Sequence, residues 1–415
     1  MIHRTRNRRL VLFATGLVAV FFAVAVIGAV SPGAGPAASV QDQSADAAAE
    51  AVQGPSADGF EGLIDLGEAD TKYVGEAAND SAGWSVARAG DVNGDGVDDV
   101  LIGAPLNDTG GENAGAVYVF YGPVDPSTVD LADANLTLVG DAEYDFAGWS
   151  VASAGDLNND GVADIVVGAP GNDVEPEDES STGANAGAAY VVYGGEDLSG
   201  EISLGDADVV INGTDEYDNA GWSVDNASAV GSEGHPGIIV GAPEADTGAT
   251  NAGAAYLFVN DTLQPRMEME ANATAMLAGV GMGANAGLSV SSAGDVNGDD
   301  VADVIVGAPG YNVSEDQTNA SGAAYVVNGP VDADRSLADA NLSLYGATAG
   351  ESAGHAVSDA GDVNNDTIAD VVVGAPASDA GGHDSGAAYL VYGEEGLSGE
   401  RNLSAANVTM VGEAA

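Results

Sequence analysis

The segment GDVNGDGVDDVLIGAP, residues 90–105, places Asp91, Asn93, Asp95 and Asp99 at positions 1, 3, 5 and 9 of one loop, then runs into an apolar stretch. With the backbone carbonyl of Val97 at position 7, the loop offers oxygen donors only. That is the set a hard cation such as Ca2+ takes, at about 2.3–2.6 Å. Three carboxylates this close repel one another unless a cation lies between them.

The same spacing recurs. A second loop has Asp156, Asn158, Asp160, Val162 and Asp164, and another has Asp295, Asn297, Asp299, Val301 and Asp303. The last has Asp362, Asn364, Asp366, Ile368 and Asp370. An EF-hand needs a glutamate at position 12, where Ile102 and Val167 stand here, so the flanking elements are expected to be strands. About four Ca2+ sites are therefore expected. Asp300 and Thr367 replace the turn glycine in the last two loops and should strain them.

Each loop belongs to a longer unit. AGWSVARAGDVNGDGVDDVLIGAP at 82–105 returns at 147–170, 286–309 and 353–376, and in damaged form at 220–243. The damaged copy has Ala229, Gly231, Glu233 and Gly237 at the ligand places, so no metal is expected there. After every Gly-Ala-Pro come an acidic loop of variable length, a run such as GAVYVFYG, a linker and a run such as LTLVGD. Four short β-rich runs per unit, bounded by Gly, Asn, Asp and Pro, predict one small sheet per copy. A lone sheet could not bury both faces, so the units must pack on one another.

The AGWS opening, Asp/Asn loop and Gly-Ala-Pro close together resemble the FG-GAP repeat of the integrin alpha-subunit headpiece, with Ala-Gly where that family has Phe-Gly. The resemblance implies an all-β fold, a β-propeller of five four-stranded blades. The repeats fall at about 77–140, 142–212, 215–278, 281–345 and 348–415, within a domain at 67–415. A spare outer-strand run at Lys72–Glu76 precedes the first blade. Trp84, Trp149 and Trp222 follow Ala-Gly in three copies and are expected to pack between blades, with Leu288 and His355 in the other two.

The chain has 415 residues, no cysteine and a formal charge of −56. Beyond residue 30, Lys72, Arg88, Arg266, Arg335 and Arg401 are the basic residues facing all 65 acidic ones. Such a surface excludes phosphate neutralisation, hence nucleic acid as a partner, and suits concentrated salt. The start, MIHRTRNRR followed by about 21 apolar residues, reads as a signal peptide or a membrane anchor at 1–30, with attachment through residues 10–30. NRRLVL also fits a loose twin-arginine signal, so export by the Sec or twin-arginine route to the cell surface or beyond is expected. Residues 31–66 read as a disordered Ala/Pro/Gly/Ser linker.

Other chemistry is thin. His235, His355 and His383 occupy unrelated places in the repeat and make no zinc motif. No nucleophile elbow accompanies the serines, and no acid/base pair stands out from the many carboxylates. Asn107, Asn135, Asn272, Asn312, Asn341 and Asn407 head Asn-x-Ser/Thr sequons suited to an exported glycoprotein. The expectation is a calcium-stabilised surface module that binds an extracellular protein or glycan. An enzyme acting on polysaccharide or phospholipid, or a structural envelope component, is the alternative.

Overall fold

The computed structural model describes residues 69–173, 184–227, 230–231, 235–259, 263–312 and 320–412. The apolar helix expected at 1–30 and the linker at 31–66 lie outside the described residues. Among those described, no helix is long and apolar enough to cross a membrane.

The chain is all-β, and each repeat folds as one propeller blade. In the first blade Ser85–Gly90, Asp99–Ala104, Ala116–Phe120 and Leu136–Val139 lie side by side in that order, each antiparallel to the next. The second has Ser150–Gly155, Asp164–Ala169, Ala188–Val192 and Val209–Asn212. The third has Ser223–Asn226, Gly237–Ala242, Ala254–Val259 and Ala275–Ala278. The fourth has Ser289–Gly294, Asp303–Ala308, Ala323–Val327 and Leu342–Tyr345. The fifth has Ala356–Gly361, Asp370–Ala375, Ala387–Val391 and Val408–Val411.

Ala-Gly-Trp itself stays outside the first strand. Gly83 has φ +83°, and the Trp84 N–H turns back to the carbonyl of Ser81, so pairing begins at Ser85.

A further strand crosses from each repeat to its predecessor. Gly200–Ser203, between the third and fourth strands of blade two, pairs in parallel with the outer strand of blade one. Arg266–Glu268, Arg335–Ser336 and Gly399–Asn402 do the same for blades two, three and four. The spare Lys72–Val74 run takes the receiving part toward Thr128–Asp130, with Tyr73 opposite Val129. After the donated strand a 3-10 turn buries one leucine, as Leu131, Leu204, Leu337 and Leu403, capped by Asp130, Ser203, Ser336 or Asn402.

The core lies between blades. Val117, Leu136 and Leu138 of blade one pack with Val151, Ile165 and Val167 of blade two. Val166 and Ile211 meet Val224, Ile238 and Phe258 at the next junction, followed by equivalent clusters between blades three and four and between four and five. The glycine of Gly-Ala-Pro is where neighbours come closest: a Cβ on Gly103 would sit 2.2 Å from the carbonyl oxygen of Gly148 on the next blade. At Gly168, Gly241 and Gly307 the clash would be 2.0, 1.9 and 2.0 Å against Gly221, Gly287 and Gly354. No side chain fits there, which accounts for two glycines of the repeat at once. The outward faces of the first and last blades keep Val86, Met410 and Val411 exposed.

Trp84 and Trp149 approach to 4.5 Å between ring centroids, and Trp149 and Trp222 to 4.9 Å, forming a tilted ladder across three blades.

Candidate metal centres

Each Asp/Asn loop starts from an irregularity in its sheet. Pairing between the first two strands slips between Arg88 and Gly90, between Ser153 and Gly155, between Ser292 and Gly294, and between Asp359 and Gly361. The extra residue of such a bulge bends the strand and re-aims the residues after it, here position 1 of the loop. Blade three pairs regularly over the described residues Ser223 to Asn226. In all four blades with an acidic loop the bulge precedes it.

Within the loop the carboxylates gather backbone N–H groups. Asp91 accepts from Asp95 and Gly96 at 2.9 and 2.8 Å, Asn93 Oδ1 from Asp95 at 2.9 Å, and Asp95 Oδ1 from Val97 at 2.9 Å. Asp156, Asn158, Asp160 and Val162 repeat the pattern, as do Asp362, Asn364, Asp366 and Ile368. Around Val301, Asp295 and Asp299 behave alike, but Asn297 is buried and donates to Asp303 at 3.1 Å. The residues standing for glycine take its conformation: Asp300 has φ +66° and Thr367 +77°. For β-branched Thr367 that is a strained backbone.

The position-9 aspartates have a second occupation. Asp99 is buried and accepts the N–H of Val92 on its own loop at 2.9 Å and of Gly122 beyond the third strand at 2.8 Å. Asp164, Asp303 and Asp370 brace the same two places, through Leu157 and Gly194, Val296 and Gly329, and Val363 and Gly393. Burial pushes Asp164 and Asp303 up to about 6. The loops also tie blades together, since Ala163 and Ala369 donate to the carbonyls of Asp91 and Asp295.

The oxygens of the aspartates within one loop do not converge on a common point here. Among the described residues, the acidic groups whose ligand atoms all lie within 4.8 Å of one another are Asp379 with His383 and Asp384, all exposed, and Asp215 with Asp218 and Glu270. Both lie at the end of the sheets opposite the Asp/Asn loops. His383 thus joins two acids, which its place in the sequence did not indicate. The place of Ala229 and Glu233 lies outside the described residues, while Gly237 starts the second strand of blade three.

One sequon needs correction. Asn107 is 1 % exposed and donates to Asp80 and Tyr118, both at 3.1 Å, so it cannot carry a glycan in the folded chain. Asn135 and Asn407 are exposed, each accepting one backbone N–H at the end of a third strand.

Comparison with known proteins agrees with this geometry. The FG-GAP repeat model matches residues 82–120, 147–192, 286–327 and 356–391, the four copies with a loop, and leaves the third unmatched. The chain is similar to integrin alpha-5 of Xenopus laevis, 43 % identical over 104 residues, covering 24 % of this chain and 9 % of that protein. It is 31 % identical over 205 residues to integrin alpha-IIb of Mus musculus, covering 47 % and 18 %. It is 32 % identical over 184 residues to phosphatidylinositol-glycan-specific phospholipase D of Bos taurus, covering 42 % and 20 %. It therefore spans a fifth or less of the length of these relatives.

Proposed function

Because the chain is an FG-GAP repeat protein of integrin-alpha-like type, we propose that it is a calcium-stabilised extracellular recognition module. Ca2+ would be held by Asp91, Asn93, Asp95, the Val97 carbonyl and Asp99, and by the matching groups of blades two, four and five. The donor set fits, being oxygen only and rich in carboxylate. Bound there, the ion offsets the loop's own repulsion and fastens the first strand of a blade to its second.

The observation that carries this reading is the joint loss in the third repeat of the oxygen-donor spacing and the match to the repeat family.

Recognition is assigned to the end opposite these loops. There the connections between second and third strands differ most in length and carry many acids, beside the Trp84–Trp149–Trp222 ladder. A protein or glycan ligand on the cell surface suits such a face. The acid excess further supports a concentrated-salt setting, checked by a melting temperature that climbs between about 0.1 and 2 M KCl.

The test is retention of native surface extract on the immobilised full chain in molar salt, with Ca2+ or with chelator. Retention that disappears on chelation and returns with Ca2+ supports the proposal. Binding indifferent to Ca2+, or absent in both conditions, overturns it.

A further inference from the structure

A buried polar trio recurs at the end of the sheets away from the Asp/Asn loops. In blade one Asp80, 6 % exposed, accepts from Asn107, whose amide also reaches the Tyr118 hydroxyl. In blade two Asp145 accepts from Asn172, which donates to the Tyr190 hydroxyl at 3.2 Å. In blade five Glu351 accepts from Thr348 at 2.9 Å and from the Tyr389 hydroxyl at 3.2 Å. Blade four replaces the group with apolar contacts: Ala284 stands for the acid and Tyr311 for the amide, and Tyr311 packs on Tyr325 and Tyr345.

Blade three keeps the acid and loses its partner. Asp218 holds the place of Asp80 and Asp145, but Ala245 stands where Asn107 and Asn172 donate. Asp218 is 7 % exposed and takes no hydrogen bond among the described residues. Replacing both members of a buried pair, as in blade four, can be nearly neutral, whereas removing one strands a polar group away from water. A stranded carboxylate is the costlier case.

The surroundings make the deficit worse. Asp215 comes from the same connection between blades, and Glu270 from the short helix Met269–Asn272. One oxygen from each of Asp215, Asp218 and Glu270 lies within 4.8 Å of the others. Glu244, Asp246 and Asn251 line a recess with Asp215 and Asp218, and among the described residues no lysine or arginine does. The nearest base in sequence, Arg266, is turned to the carbonyls of Gly205, Ala207 and Pro265. Burial and the four neighbouring acids push the Asp218 carboxyl up to about 7.

We infer that Asp215, Asp218 and Glu270 hold a hard divalent cation of the calcium class in blade three, at the end opposite the other loops. Oxygens within 4.8 Å of one another match the span of two ligands sharing an ion at about 2.3–2.6 Å. The ion takes the place of the missing amide: it neutralises the stranded carboxylate and draws the rim of the recess onto it. Blade three thus exchanges a metal at one end of its sheet for a metal at the other.

The experiment counts Ca2+ bound per full-length chain by equilibrium dialysis in molar KCl. The Asp215→Asn/Glu270→Gln variant is expected to bind one ion fewer than the parent. The Asp160→Ala variant reports on the second-blade loop separately, so failure of the loop sites and failure of this one give different patterns. Should the double variant not fold, Asp218→Asn, which keeps side-chain shape, is expected to lose the same ion and to melt higher than the parent in chelator. A folded variant of either kind that binds as many ions as the parent overturns the inference, and marks the recess as a solvated acidic surface.

Discussion

The hydroxyl of Ser223, on the first strand of blade three, accepts the backbone N–H of Val290 on blade four at 3.1 Å. Ser150 does the same for Val224, and Ser289 for Val357, both at 3.0 Å. The serine of the AGWS motif is therefore a clasp between consecutive blades. Ser223→Ala should lower stability by about 1–3 kcal/mol, the cost of leaving a part-buried donor unsatisfied. Denaturant unfolding of the full chain checks it, and a variant as stable as the parent would show that the clasp contributes nothing.

Asp160 is an exposed member of the second-blade loop whose bonds to Asn158 and Val162 compete with water, so its loss should matter most when metal is present. A site saturated at about 100 times its Kd adds ~2.7 kcal/mol. Asp160→Ala is expected to melt close to the parent in chelator and clearly below it in Ca2+. An unchanged Ca2+-induced rise in Tm would show that this loop holds no ion.

Asp145 is 1 % exposed, and burial pushes its carboxyl up to about 6 although Ala142 and Asn172 donate to it. Its folded pKa exceeds the unfolded value, so the fold favours the protonated form. The stability linked to this group is full below about pH 4 and declines as pH rises toward 6. At about 1.4 kcal/mol per pKa unit the loss reaches ~3 kcal/mol. Asp145→Asn should therefore raise Tm above the parent at pH 7–8, with the advantage fading toward pH 4. A difference that does not vary with pH would contradict this.

Thr367 sits at φ +77° where blades one and two have glycine. A left-handed L-residue carries a penalty of roughly 1–2 kcal/mol, and Thr367→Gly should recover about 1 kcal/mol of it. Thermal melts of the Ca2+-loaded pair measure the gain. No gain would mean that the neighbouring loop contacts already relieve the strain.

Asn107 heads a sequon yet anchors Asp80 and Tyr118 inside blade one. Asn107→Gln is expected to leave gel mobility of the native-source protein unchanged while lowering its Tm, since the longer amide misplaces both contacts. A mobility shift on this substitution would place the side chain outside the fold.

Much of the architecture was legible in the residues because the blade strands are short β-rich runs bounded by Gly, Asn, Asp and Pro. The second strand DVLIGA and third strand AVYVF form where the pattern places them. The donated strands were not legible, since GEIS and RS carry no apolar run and are held by backbone pairing to the preceding blade. The Asp/Asn loops were found by donor spacing, but the bracing by Asp99 and its counterparts depends on Gly122 and Gly194, many residues away. The recess in blade three was missed for a related reason. Asp218 differs from Asp145 through the replacement of its amide partner by Ala245 and of Ala142 by Asp215, a contrast visible once the copies are aligned position by position and the third dimension shows which positions touch.

Because every sheet from the first blade to the fourth completes its outer edge with a strand belonging to the following repeat, the unit that duplicates in sequence is offset from the unit that closes in space. An excision made at repeat boundaries would leave one sheet short of an edge and its neighbour with an idle ribbon. Fragments cut from this protein should stay soluble only when the break falls after a lent strand, and the array should melt as one block and not blade by blade.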